Sequence, residues 1–419
     1  MTKVSESERT AIERIEARAA EDVANDKKRK RKRAVIAGVV FGTLFVAALT
    51  ALIIKFVNDD GWRDVTVNAG AAQNCSSSFA FRMKLDRKEG GRDYRMLTQA
   101  YTDATVRDYA VFDTVEPHEG IAGMYALNTS AGEAIRVEPE LYHALELMDR
   151  SGFRGLYLGP VYEIYQDLFL SENDSFASEL DPLRNEDTAA FVKNAVRFAS
   201  DPDEVSLELL GENRVRLTIS DAYRAFAEEY GFNVFLDFFW MKNAFILDDL
   251  KEKLSATGYT KGYLVSTEGF AVCLDTTEEI YEMIMRDRIG RDLFSAARFE
   301  YRGPISIVGL HDYPTADTYG DYYYMYDDGT FVTPYIDPKD GLCKSSIHDL
   351  VFYSKTAKTA ELLLSAVDLM IADVFDEAKA AGYAKKGSYP VYCKEKEVVV
   401  FGDGFLSIKP DEGYTLREK

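Results

Sequence analysis

The sequence predicts an α+β protein with one membrane-spanning helix near its N-terminus. Segments of helical and of strand periodicity are mixed without strict alternation or internal repeat, which favours α+β. A long uncharged run, residues 34–54, lies close to the N-terminus. The chain has 419 residues, of which 47% are hydrophobic and 29% charged. This composition is typical of a globular protein and excludes a disordered or collagen-like chain.

The uncharged run is long enough to cross a bilayer. Its 21 residues follow seven consecutive basic residues, Lys27–Arg33. At about 1.5 Å per residue they span about 32 Å of helix, and a bilayer core is about 30 Å thick. A cleaved signal peptide is the alternative, but its apolar region is usually about 7–15 residues long. We therefore predict an uncleaved signal anchor in the cell membrane.

The positive-inside rule places the basic side in the cytoplasm. The predicted organisation is a cytoplasmic basic tail at 1–33, a transmembrane signal anchor at 34–57, a stalk at 58–78 and an extracytoplasmic domain at 79–419. The net charge of the chain is −20, and the tail carries +4 and the anchor +1. Residues 58–419 therefore carry a net charge of −25. That charge argues against a nucleic-acid partner. Four cysteines do not make a disulfide framework, and the sequence leaves their pairing open.

The outer segments follow from periodicity and from start and stop residues. Pro139 opens a helix that Gly152 ends, and Gly258 ends another. A segment rich in Tyr and Asp, 311–329, is interpreted as a surface hairpin that turns at Asp328-Gly329. The alternatives are a divalent-cation site formed by its Asp residues and a stacking site for a planar ligand formed by its Tyr residues. Residues 170–188 are predicted as a loop. The predicted helices are 91–111, 139–151, 187–199, 221–230, 243–257 and 356–382, and the strands 79–85, 214–219, 233–239, 262–274, 389–393 and 397–401.

Common catalytic motifs are absent from the sequence. It contains no G-x-S-x-G, H-E-x-x-H, C-x-x-C, phosphate-binding loop or G-x-G-x-x-G. His118-Glu119 and His311-Asp312 are acid–histidine pairs, which also arise by chance. Glu361 and Ser365 lie four residues apart on a predicted helix, so they share one face and offer the hard oxygens that Mg²⁺ prefers.

Several stretches resemble the ApbE family of FAD:protein FMN transferases. The run N-T-S-A-G-E-A-I-R-V-E-P-E-L from Asn128 is similar to the family's N…G…V.V.PEL run, and YDDGTFVTPYIDPKDG, 326–341, to its.DG..Y.HIIDP.TG. The resemblance covers roughly residues 79–382. It implies a T-fold-related extracytoplasmic domain that uses FAD and Mg²⁺ to flavinylate an electron-transfer protein. By position, it implies metal binding by Glu361 and Ser365, and cofactor binding by Glu119, Asn128, Lys242, Gly269 and Asp337.

The chain departs from this family where the flavin site is expected. Pro334 stands in place of a histidine, and proline offers neither a proton nor a side-chain hydrogen bond. The family's L-G-G-I-A-K-G appears as D-F-F-W-M-K-N at 237–243, so Phe238 and Phe239 replace two glycines that let a ligand approach the backbone, and bulky Trp240 follows them. Glu268-Gly269 stand where two glycines are usual, and Glu361 and Ser365 replace Asp and Thr.

The sequence is compatible with three functions. The first is an active Mg²⁺-dependent FMN transferase, and the second is a catalytically inactive binding or scaffold protein that serves a flavinylated electron-transfer partner. The third alternative is an unrelated cell-envelope binding or structural protein. The aromatic residues of Phe238–Trp240 favour the second, because their bulk is expected to fill the space of the nucleotide.

Overall fold

The computed structural model describes residues 61–68, 70, 79–84, 91–277, 279–314 and 322–419. Residues Trp62–Lys419 form one compact unit. The predicted tail and signal anchor lie outside the described residues, as does Cys75. Every helix in the described part of the chain is too short or too polar to span a membrane.

Helices make up much of the chain between residues 91 and 256, and two more follow near the C-terminus. Short 3₁₀ turns lie at Arg154–Tyr157 and Phe239–Met241. In the described residues the α-helices are α1 Gly91–Phe112, α2 Met124–Thr129, α3 Pro139–Ser151, α4 Gly159–Phe169, α5 Asp174–Leu180, α6 Glu186–Ser200, α7 Asp221–Tyr230, α8 Lys242–Ala256, α9 Thr359–Met370 and α10 Glu377–Ala384.

The described strands form one large sheet and three small ones. They are β1 Trp62–Val65, β2 Phe79–Lys84, β3 Ala134–Arg136, β4 Val205–Gly211, β5 Arg214–Ile219, β6 Gly262–Ser266, β7 Phe270–Cys273, β8 Tyr281–Ile289, β9 Asp292–Tyr301, β10 Ile305–His311, β11 Tyr324–Met325, β12 Phe331–Val332, β13 Asp349–Ser354, β14 Tyr389–Lys394, β15 Glu397–Val400, β16 Ser407–Pro410 and β17 Thr415–Glu418. The mixture confirms the α+β prediction.

The large sheet has the strand order β1-β2-β6-β7-β10-β13-β14-β15-β17. Neighbouring strands are antiparallel except β15 and β17, which are parallel. The small sheets are β16-β9-β8, β3-β5-β4 and the hairpin β11-β12. That hairpin turns through Asp328-Gly329, with Gly329 at φ +88°, so the predicted turn is confirmed. The predicted extent and surface position are wrong, because His311 ends β10 and Tyr323, Tyr324 and Tyr326 are buried.

The large sheet separates two hydrophobic cores. Helices cover one face, where Val308 and Leu310 of β10 belong to the larger core. The sheet β16-β9-β8 covers the other face, where Ile305 and Ile307 of the same strand are buried. A strand buried on both faces reads as a continuous apolar run, and I-S-I-V-G-L in β10 has this character.

Two predictions of secondary structure are wrong at places where a side chain caps the start of an unpredicted helix. The predicted loop 170–188 contains α5, because the side chain of Asn173 accepts a hydrogen bond from the backbone N–H of Phe176. The predicted helix 356–382 is two helices, α9 and α10, with a break at 371–376. Asp376 caps the second by accepting from the N–H of Lys379 at 3.0 Å.

Two predicted strands are also corrected. Residues 262–274 form the hairpin β6–β7, which turns at Gly269 with φ +96°. Residues 233–239 are not a strand, because the Asn128 side chain takes up the backbone hydrogen bonds of Phe235 and Leu236 and the aromatic side chains of the segment pack inward.

The predicted stalk contains the first strand of the large sheet. Strand β1 pairs with β2 from Trp62, opposite Lys84, to Val65, opposite Phe81. Val65 is buried, and the Trp62 ring lies 5.7 Å from the ring of Tyr263. Because these two apolar side chains pack on the domain, the compact unit begins at Trp62 rather than at Phe79.

Candidate functional site

Three of the predicted site residues line one open cavity. Its volume is about 950 Å³, and it lies between the C-terminal end of α3, the loop 337–344 and one face of α9. Asp337 contributes from the loop, and Glu361 and Ser365 contribute from α9. The 3.6-residue helical period places Glu361 and Ser365 on the same face of α9.

The wall of this cavity carries both signs of charge. Lys344 lies 2.8 Å from Asp337 and 2.7 Å from Asp340, and these carboxylates hold the pKa of Lys344 above its usual value. In the part of the chain that the structure describes, the cavity residues Arg150 and Lys339 make no ion pair. The cavity therefore offers cations as well as carboxylates to a polar ligand.

Asp337 is buried and organises the loop that carries it. Its carboxylate accepts hydrogen bonds from the Lys344 ammonium at 2.8 Å and from the backbone N–H of Lys339 at 3.0 Å. Its carbonyl accepts from the N–H of Gly341, which has φ +74° and whose Cβ, if present, would lie 2.4 Å from a methyl carbon of Val192. Asp337 thus reaches the cavity wall with its own hydrogen bonds already made.

Glu361 and Ser365 form a small set of oxygen ligands. The Glu361 carboxylate accepts from the backbone N–H of Lys358 at 3.1 Å, and the Ser365 hydroxyl donates to the Glu361 carbonyl at 3.0 Å. The oxygens suit a hard cation in chemical type. Within the described residues, however, Glu361 belongs to no group of three acids with closely spaced oxygens. A Mg²⁺ ion there would take most of its ligands from water or backbone carbonyls.

The other predicted cofactor residues do not line this cavity. Asn128 is buried, accepts from the N–H groups of Phe235 and Leu236, and donates to the Leu236 carbonyl. Lys242 begins α8 near Asp237, whose pKa is raised by burial against the opposing charge of Lys242. Both residues therefore have structural contacts at segment 233–242.

Gly269 and Glu119 occupy turns. Gly269 lies where the backbones of two strands approach closely, and the N–H of Gly309 donates to its carbonyl at 2.8 Å. Glu119 is exposed on a turn and is not among the residues that line the cavity. Its neighbour His118 pairs instead with Asp113, at 2.8 Å.

The aromatic segment 238–240 is packed into the core. Phe238, Phe239 and Trp240 are each exposed by 4% or less. Phe239 stacks on Tyr162 with ring centroids 4.7 Å apart, and Trp240 packs against Tyr335 at 5.2 Å. These side chains fill the space beside their own backbone, so this segment does not fit a flavin nucleotide.

The backbone at Phe239 has a conformation that suits glycine. Its φ is +50°, in the left-handed region, which costs a residue with a Cβ about 1–2 kcal/mol. Three aromatic contacts, to Tyr162, Phe169 and Tyr322, hold the ring in place. Pro334, at the family's histidine position, is buried just before Tyr335. Neither position offers a group that can transfer a proton.

The second acid–histidine pair is also structural. Burial of the His311 imidazole lowers its pKa to about 4, so the ring is neutral at physiological pH. Asp312 forms an ion pair with Arg288 at 3.0 Å and contacts His348 at 2.7 Å. The pair His311-Asp312 therefore does not act as one unit.

Sequence reasoning missed an acidic cluster in the helical layer. Asp108, Glu140 and Asp249 approach one another there, with Lys253 among them. The spacing of Asp249 and Lys253 by four residues on one helix was the only local signal. The other two acids come from distant helices, and no spacing rule connects them.

Comparison with known proteins identifies a fold. No protein-family model and no curated protein matches the sequence. Among solved structures, the ApbE protein of Thermotoga maritima is similar with a TM-score of 0.52 and 12% identity, over 80% of this chain and 94% of its own. The compact unit therefore has a mixed helix-and-sheet fold that resembles ApbE.

Two further solved structures are similar at lower scores. A mutant of the flavin transferase ApbE from Vibrio cholerae has a TM-score of 0.47 and 10% identity, over 80% of this chain and 94% of its own. The flavinyl transferase ApbE of Pseudomonas stutzeri, in its apo form, has a TM-score of 0.45 and 13% identity, over 84% and 94%.

Proposed function

We propose that this chain is a membrane-anchored, extracytoplasmic binding protein on an ApbE-like fold, without FMN-transferase activity. The observation that carries the proposal is the burial of Phe238, Phe239 and Trp240 where the family resemblance implies a nucleotide pocket. Pro334 adds support, because it stands at the position of a histidine in that family. The ligand or partner binds at the cavity of Asp337, Glu361 and Ser365.

The free energy of burying the aromatic side chains of Phe238–Trp240 favours their staying in the core. Removing a buried aromatic side chain costs about 3–5 kcal/mol. A nucleotide would have to displace several such rings and compensate for their lost burial. The unfavourable φ of Phe239 persists because the surrounding stacking outweighs its cost.

An active FMN transferase is the second candidate. The shared cavity of Asp337, Glu361 and Ser365 favours it, because the resemblance assigns these residues to the metal and cofactor. In that case Glu361 and Ser365 would hold Mg²⁺, which would neutralise charge on the pyrophosphate of FAD. The partner would be an extracytoplasmic electron-transfer protein that receives FMN.

A titration with FAD and Mg²⁺, followed by flavin fluorescence, separates the two candidates. The full-length chain in detergent is expected to show no saturable binding. The variant Phe239→Ala removes one filling ring and is expected to gain flavin binding. Phe198→Ala is the matched control, because Phe198 is also 4% exposed and stacks on a tyrosine at 4.6 Å.

The outcomes are distinct. Gain of flavin binding in Phe239→Ala but not in Phe198→Ala supports a filled pocket. Saturable binding by the unaltered chain, with release of AMP in the presence of an acceptor protein, would replace the proposal with the transferase. The predicted membrane topology is tested separately, by protease accessibility of the C-terminal domain in intact cells.

A further inference from the structure

Three carboxylates from three helices meet in the helical layer. Oxygens of Asp108 in α1, Glu140 in α3 and Asp249 in α8 lie within 4.8 Å of one another. We call these residues the acid triad. Of the residues that the structure describes, no other three acidic, histidine or cysteine side chains come together in this way. The triad is separate from Glu361 and Ser365, the pair expected from sequence to bind metal.

Three oxygens of the acid triad are buried and accept no hydrogen bond among the described residues. They are Oδ2 of Asp108, Oε2 of Glu140 and Oδ2 of Asp249, and the last of these contacts the Lys253 ammonium. The side chain of Asp108 is only 1% exposed. A buried carboxylate oxygen without a partner is unfavourable, because it has lost water and gained nothing in return. This is an independent sign that the site accepts a further ligand.

The charge around the triad is not balanced. Lys253 lies 3.0 Å from Asp108 and 3.6 Å from Glu140, and also contacts Asp249. Arg107 lies 3.2 Å from Glu140 and also contacts Glu138. Four carboxylates therefore face two cations, and because burial raises the pKa of Asp108 to about 8, one unbalanced negative charge remains near neutral pH.

A cavity gives solvent access to the triad. It has a volume of about 410 Å³, and Glu140 and Asp249 form part of its wall. Further carboxylates on that wall, Glu146, Asp248, Glu252 and Glu361, outnumber its two cations, Arg150 and Lys358, so the approach is acidic. A hydrated cation can reach the triad from this side, since its waters fit in a cavity of this size and its charge is favoured along the path.

We propose that the acid triad binds a hard divalent cation of the Mg²⁺, Ca²⁺ or Mn²⁺ type. Carboxylate oxygens without nitrogen or sulfur ligands select cations of this class. The ammonium of Lys253 is the internal competitor of the metal, because it occupies part of the same anionic space. The site joins α1, α3 and α8, so the bound cation links three helices of the domain.

The test is a titration of the full-length chain in detergent with Mn²⁺ alone, in which electron paramagnetic resonance reports the free ion. We expect one saturable site per chain. Asp249→Asn is expected to weaken binding at least about ten-fold, since it removes one charged ligand. Lys253→Met is expected to strengthen binding about ten-fold by removing the competing charge.

Matched controls separate this site from the one expected from sequence. Glu146→Gln removes a carboxylate from the same cavity wall but not from the triad, so Mn²⁺ affinity should stay unchanged. Glu361→Gln is the discriminating variant, because it alters the site expected from sequence and leaves the triad intact. Loss of binding in Glu361→Gln with retention in Asp249→Asn would overturn the proposal. So would the absence of a saturable site in the unaltered chain, even if Lys253→Met binds. The increase in Mn²⁺ affinity expected of Lys253→Met cannot arise from unfolding. Circular dichroism checks that each variant is folded.

Discussion

Gly269, one of the predicted cofactor residues, is required by the backbone conformation at its turn. The family resemblance places this residue at the flavin site. In the structure it has φ +96°, and a Cβ there would lie 2.3 Å from the carbonyl oxygen of Gly309. The residue is therefore required by the close approach of two strands, which is a structural reason independent of any ligand.

The variant Gly269→Ala is expected to be severely destabilised. The strain at positive φ costs about 1–2 kcal/mol, and the clash with a backbone atom adds to it. Gly152→Ala is the matched control, because Gly152 also has positive φ but a Cβ there meets nothing within 4 Å. Urea unfolding should show a loss for Gly269→Ala that exceeds the loss for Gly152→Ala. Equal losses would mean that the strands separate easily at this turn.

Helix α9 begins at a buried aspartate from another helix. The carboxylate of Asp248 in α8 accepts from the backbone N–H groups of Thr359 at 2.8 Å and Ala360 at 2.9 Å. Burial raises the pKa of this carboxyl, and the two hydrogen bonds oppose that shift. The start of α9, and with it the position of Glu361 at the cavity, therefore depends on a tertiary contact.

Asp248→Ala is expected to cost about 2–3 kcal/mol of unfolding free energy, because two buried N–H groups lose their partner. Asp376→Ala removes the exposed, local cap of α10 and should cost about 1 kcal/mol. Chemical denaturation of both variants measures the difference. The idea of a tertiary start for α9 is wrong if the two losses are the same.

Buried ionisable groups give the whole domain a pH-dependent stability. Burial raises the pKa of Asp349 to about 7 and that of Asp108 to about 8. The folded state then binds protons that the unfolded state has released, so stability falls as pH rises from about 4 to the folded pKa. His311 acts in the opposite sense below about pH 6.5, because burial lowers its pKa to about 4.

Between about pH 6.5 and 8, where the opposing contribution of unfolded-state His311 fades, the unfolding free energy is expected to decrease with rising pH. Asp349→Asn should reduce this slope, and the exposed substitution Asp203→Asn should leave it unchanged. Urea unfolding at several pH values, in buffer with a metal chelator, measures it. A flat profile for the unaltered chain would contradict the expected contribution of Asp349.

Much of the fold could be predicted because it is encoded locally. The helices at 91–112, 139–151, 186–200 and 242–256 have apolar periodicity together with proline or glycine signals at several of their ends. The break at 371–376 was not predicted, because apolar periodicity continues across it and masks the local N-cap signal of Asp376. In the candidate site, helical spacing alone predicts that Glu361 and Ser365 share one face of a helix. That Asp337 lies at the same cavity depends on the conformation of the loop 337–344, which no spacing rule predicts.

The sequence by itself determined the α+β class, the apolar run at 34–54 and the presence of two aromatic residues, Phe238 and Phe239, where the family resemblance implies glycines. These are properties of composition and of short-range order along the chain. Only the tertiary structure decided that those aromatic side chains are buried and that Asp108, Glu140 and Asp249 meet. Contacts between residues more than 30 positions apart depend on how helices pack, and helix packing is fixed by the whole core rather than by any local pattern.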